Sequence, residues 1–123
     1  MAYRLACEEA AGVSTVVSLA GTSYLDPSKC GAERPVSVLH IHGDADRVVR
    51  YAGGVRDNGV GYSGADEELS RWVSRAGCDV SAAETLDPVD LDRSLEGAET
   101  LRTRYRGGCA DGGTVELWKI EGG

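Results

Sequence analysis

Both histidines of the chain fall in one string, His40-Ile41-His42-Gly43-Asp44-Ala45-Asp46, which is also its densest set of chemically capable groups. If the apolar residues leading into it form a strand, His40 and His42 project from one face, because alternate strand residues share a side. Paired imidazoles with carboxylates nearby are a ligand set for zinc or a similar divalent ion. A second chemistry uses position instead. Asp44 and Asp46 lie just beyond a strand's carboxyl end, where open α/β sheets keep reactive groups, and either can orient a catalytic imidazole. A third reading is structural, since an Asp following a Gly commonly accepts backbone N–H bonds in a turn. Spacing alone leaves all three open.

The remaining titratable groups are less pointed. Residues Glu84 to Glu99 hold six acids and one arginine, a net −5 of the formal −7 for the chain. With Pro88 and no amphipathic period, the run reads as a solvated surface loop. Its Asp87, Asp90 and Asp92 lack the glycine and closing glutamate of an EF-hand. Cys7, Cys30, Cys78 and Cys109 allow three disulfide pairings or four free thiols, and the absence of C-x-x-C spacing argues against a zinc knuckle.

Composition sets the frame. The 123 residues are 41% hydrophobic and 27% charged, ordinary for a soluble globular domain, and as a length they suggest one. Twenty acids against 13 bases, 11 of them arginine, speak against a nucleic-acid groove. No apolar run approaches the length of a membrane span, and no basic-then-apolar leader is visible.

The elements that must position the His-Asp string read as follows. Met1 to Ala10 has helical composition and helical apolar spacing, stopping near Gly12, but no capping residue precedes it. Val13 to Ala20 and Val36 to His42 read as strands, the first a buried one, with Pro35 opening the second and Gly43 closing it. A loop runs through Gly61. Ala65 to Ala76 is an amphipathic helix with Leu69, Trp72, Val73 and Ala76 on its apolar stripe, Ser63 as its cap and Gly77 as its stop. Two strands, Thr100 to Tyr105 and Thr114 to Ile120, flank a Gly-rich turn as in a hairpin. The succession of helix, strand, strand, helix and strand predicts an α/β fold with a mostly parallel sheet and helices packed on it.

Two resemblances bear on the string. It is similar to the HxHxDH motif of metallo-β-lactamase-like hydrolases, but Ala45 stands where the last histidine belongs and the chain has no other. Four blocks together resemble secreted α/β-hydrolase esterases, the group of polyhydroxybutyrate depolymerases, feruloyl esterases and related carbohydrate esterases. MAYRLACE is similar to the helix following the nucleophile elbow, and RPVSVLHIHGDADRVVRYAGG to the family's RPVPVLHIHGxxDxVVPYxGG. The helix with Trp72 followed by Gly77-Cys78 is the third, and TRYRGGCADGGTVELWKIEGG, which in the family runs into a catalytic histidine, is the fourth. Arg50 departs from the pattern, replacing a proline before Tyr51.

The resemblance implies a partial α/β-hydrolase fold over residues 1–123, a single incomplete domain that begins after the nucleophile elbow and ends before the histidine. It places the triad aspartate on Asp46, leaves Asp44 at a variable position and gives both histidines structural roles, while Tyr51 either borders the substrate cleft or covers the loop. It pairs Cys7 with Cys30 and Cys78 with Cys109, which implies an exported, extracellular parent. The expected activity is serine carboxylic-ester hydrolysis on a polymeric or polysaccharide-linked ester, without cofactor, nucleic acid or membrane as partner. The 123 residues alone, lacking G-x-S-x-G and the catalytic histidine, are expected to be inactive. A metallo-hydrolase built on HIHGDAD and a noncatalytic binding remnant of the fold are the alternatives.

Overall fold

A computed structural model describes residues 2–8, 12–31 and 34–123. Its centre is a five-stranded mixed sheet in the order β1-β2-β7-β6-β5. The strands are β1 (Thr15–Leu19), β2 (Ser37–Gly43), β5 (Ala83–Val89), β6 (Thr100–Tyr105) and β7 (Val115–Ile120). Pairings β1–β2 and β2–β7 are parallel, while β7–β6 and β6–β5 are antiparallel. A separate two-stranded sheet joins β3 (Gly54–Val55) to β4 (Gly61–Tyr62). The helices are short: α1 (Ala2–Cys7) and α2 (Ala65–Arg75).

This architecture corrects the expected fold class. The chain is mostly β, and its sheet is not the helix-flanked parallel sheet of an α/β-hydrolase. Two causes are visible. Half of the sheet is an antiparallel meander, β5-β6-β7, which needs no helical crossovers. The helices cover one face only. Tyr3, Ala6 and Cys7 of α1 and Leu69, Trp72 and Val73 of α2 pack on Val16, Val38, Val115 and Leu117. On the other face, Val17 and Leu19 of β1 remain 57% and 73% exposed, so β1 is not the doubly buried strand its apolar run suggests.

Residues Ala83–Val89 correct a second expectation, because the front of the acidic run is an edge strand and not a loop. Cross-strand arginines hold it. Arg104 and Arg106 both meet the Glu84 carboxylate, at 2.9 and 2.8 Å, and Arg102 donates to the Asp87 carbonyl. The rest of the run folds around Glu99, whose Oε1 accepts the amides of Leu91 and Asp92.

Helix α2 starts where the sequence indicates, but its N-cap is Gly64 without a side-chain bond; the Ser63 hydroxyl donates to Glu68 instead. Gly77 ends it at φ +67°, a left-handed position that suits glycine. Disulfides join Cys7 to Cys30 and Cys78 to Cys109. The first ties α1 to the loop before β2, and the second ties the end of α2 to the β6–β7 turn. Two disulfides are consistent with an extracellular protein. No helix among the described residues is long and apolar enough to cross a membrane.

Candidate active site

The His-Asp string occupies β2 and the loop beyond its carboxyl end, in the middle of the parallel half of the sheet. His40 and His42 point to the helix-covered face and are fully buried. Their ring nitrogens are all engaged. His42 Nε2 lies 2.7 Å from the Val49 carbonyl, His42 Nδ1 lies 3.1 Å from His40 Nε2, and His40 Nδ1 lies 2.5 Å from the Tyr3 hydroxyl.

The direction of this chain follows from its far end. A carbonyl only accepts, so His42 Nε2 carries the hydrogen. The neutral ring then offers Nδ1 as an acceptor to His40 Nε2–H, which leaves His40 Nδ1 to accept from Tyr3 O–H. Three hydrogen bonds therefore run one way from α1 to the loop that carries Asp46. The Tyr3 ring is sandwiched between His40 and Trp72, with centroid separations of 5.8 and 5.2 Å. Burial, helped by the neighbouring His42, pushes His40 down to about 4. Burial raises Tyr3 well above its ordinary range, and the Glu68 charge adds to the effect.

This wiring bears on the metal reading of the string. Each imidazole spends its lone pair on a hydrogen bond, so the two rings do not converge on a common ligand point. Among the described residues no group of three or more His, Cys, Asp or Glu is arranged to hold a metal ion.

The two aspartates are used differently. Asp44 Oδ1 accepts the Gly122 amide at 2.8 Å, and its Oδ2 lies 3.3 Å from Lys119 Nζ. These contacts, the Gly122 amide first, hold its carboxyl below the usual range. Asp46 Oδ1 accepts the amides of Val48 and Val49 at 2.8 and 2.9 Å, closing the turn. Those amides, Val49 first, lower its pKa against the opposing effect of desolvation. Its Oδ2 has only a 3.8 Å approach from His42 Nε2, and the side chain is 23% exposed. Asp46 lines a shallow cavity of about 500 Å³ with Asp44, Arg47, Arg50 and Tyr51.

Tyr51 sets its ring edge-on to His42, and its hydroxyl donates to Asp66 Oδ1 at 2.7 Å. Burial and that carboxylate raise it above its ordinary value. The end of β7 closes the site. The Gly123 carbonyl accepts the Ala45 amide at 2.8 Å. A Cβ at Gly43 would stand 2.2 Å from the Gly123 backbone, so glycine is what permits this approach.

Sequence reasoning did not find Tyr3 as a partner of the histidines, although the alternation His40-x-His42 already put both on one face. It also missed Glu68, a fully buried carboxylate whose Oε1 accepts from the Ser23 amide and hydroxyl and from Ser63. The four cysteines lie in the two disulfides and none lines the Asp46 cavity. No protein-family model matches the chain, and neither does any curated protein.

Proposed function

We propose that Asp46 is the acid of a Ser-His-Asp esterase site, and that this chain belongs to a secreted serine carboxylic-ester hydrolase acting on a polymeric or polysaccharide-linked ester. The observation that supports this reading most directly is the contact between Gly123 and Ala45. Gly123 is hydrogen-bonded into the Asp46 loop at 2.8 Å, so the block that in the resembled family runs into a catalytic histidine is held at the loop that carries the carboxylate. The Asp46 carboxylate suits that role. Two amides fix one oxygen, and the other carries no strong bond. The Tyr3 end of the histidine chain lies on α1, which the resemblance puts directly after the nucleophile.

In the reaction, serine Oγ attacks the ester carbonyl while the histidine takes its proton and passes it to the departing alcohol. Water, deprotonated by the same imidazole, then releases the acid and restores the serine. Asp46 accepts the imidazole Nδ1–H, selects the tautomer and stabilises the imidazolium.

The test is hydrolysis of nitrophenyl acetate by the protein expressed from the full reading frame. Asp46→Asn should lower kcat by about four orders of magnitude, and Asp44→Asn by far less. Equal losses, or full activity in Asp46→Asn, would overturn the reading.

A further inference from the structure

A second concavity lies behind the Asp46 turn, between residues 47–50 and the β3–β4 hairpin. Its volume is about 760 Å³. Tyr62 joins the two walls. Its hydroxyl accepts the Arg50 amide at 3.0 Å, and the Arg56 guanidinium sits 5.7 Å above its ring. The apolar lining is Val48, Val49 and Val55, of which Val48 is 85% and Val55 68% exposed. Three guanidiniums, those of Arg47, Arg50 and Arg56, line it against one carboxylate, Asp57.

Among the described residues, six of the other eight arginines have side-chain partners, while Arg34 and Arg93 have none but do not line this groove. Arg4, Arg71, Arg104 and Arg106 each meet a carboxylate, and Arg75 and Arg102 donate to backbone carbonyls. Among the described residues, the guanidiniums of Arg47, Arg50 and Arg56 form neither an ion pair nor a hydrogen bond, in a chain with 20 acids. Three of the five arginines without such a partner among the described residues therefore line one groove, which also exposes valine side chains. Guanidinium forks match carboxylates in geometry, while the valines and the Tyr62 ring suit an apolar body.

We propose that this groove binds an organic carboxylate with an apolar body, such as a phenyl or short alkyl acid. Arg47 and Arg50 also line the Asp46 cavity, so the two concavities share a wall. Resting on the esterase reading, the substrate is then an ester that carries a second, free carboxylate. That group is held by Arg50 and Arg56 while the ester lies at Asp46.

Binding is measurable on these 123 residues without any hydrolysis. Phenylbutyrate titrated into isotope-labelled protein should shift the backbone NMR signals of residues 47–50 and 55–58 saturably. Neutral phenylbutyramide should bind about tenfold more weakly or not at all, and added salt should weaken the acid. The double variant Arg50→Gln, Arg56→Gln should lose about tenfold in affinity while the remaining spectrum stays in place. Equal binding of acid and amide, shifts elsewhere only, or an unchanged affinity in the double variant would overturn the proposal. Failure of the esterase reading leaves these titrations unaffected. A flat titration alongside an inactive Asp46→Asn enzyme overturns the anion groove alone.

Discussion

Acidification from pH 7 to pH 5 should cost the folded chain about 2 kcal/mol through His40 alone. Unfolded, the imidazole titrates near its ordinary value of 6.5; folded, burial holds it down to about 4. The folded value is the lower one, so the unfolded chain binds more protons in the interval. Stability from this residue is complete above the unfolded value and is lost as pH falls from about 6.5 towards 4. The full separation is worth roughly 3 kcal/mol, of which about 2 falls above pH 5. The groups facing His40 are Tyr3 from α1, His42 from its own strand and Asp66 from α2, whose charge opposes the shift without reversing it. Above pH 5 the carboxylates contribute little, because their unfolded values lie near 4. Urea unfolding followed by circular dichroism at half-unit steps measures the slope. His40→Gln is the control, since an amide can still accept from Tyr3 and donate to His42 but does not titrate. The variant should be less stable at pH 7 and nearly flat from 7 to 5. If it fails to fold, the wild-type His40 ring signals should show no titration down to pH 5. A wild-type loss below about 0.5 kcal/mol, or the same slope in His40→Gln, would refute the argument.

Three smaller perturbations probe the same construction. Tyr3→Phe leaves His40 Nδ1 without its donor and should cost about 1–3 kcal/mol by urea unfolding, with the fold retained. Gly43→Ala drives a methyl group into the Gly123 backbone and should cost roughly 1–3 kcal/mol, with NMR shifts concentrated at residues 43–46 and 121–123. Replacing Cys78 and Cys109 together by serine reopens a separation of 31 residues and should cost about 3–4 kcal/mol in the chain-entropy model, read as a lowered urea midpoint.

What could be read from the sequence is what local pattern governs. Strand β6 spans Thr100–Tyr105 as its β-branched and aromatic residues indicate, and α2 ends one residue before the expected Ala76. The misreadings share one cause. Glu84 and Asp87 look solvated in a local window, but the arginines that make their segment a strand lie 15 to 22 residues away. The apolar run of β1 signals burial on both faces, yet whether a second helical layer exists is a property of the whole chain, and here α1 and α2 share one side. The site divides the same way. Alternation put His40 and His42 on one face, whereas the bond from Tyr3 to His40 spans 37 residues. Arg56 joins Arg47 and Arg50 only because Tyr62 draws the hairpin onto their loop.

Under the proposed esterase reading, Asp44 and Asp46 differ in which of their oxygens are free. An orienting carboxylate needs one oxygen held still and one left for the imidazole. Both oxygens of Asp44 are already placed, one on the Gly122 amide and one toward Lys119, so it pins the end of β7 to the loop. In Asp46 the two amides fall on the same oxygen. His42 does not compete for the other oxygen, because its Nε2–H is taken by the Val49 carbonyl at 2.7 Å and reaches Asp46 Oδ2 only at 3.8 Å. The one-way chain from Tyr3 therefore does more than fill the core. It spends the His42 N–H on the backbone, which leaves Asp46 Oδ2 without a strong bond, as the proposed triad role requires.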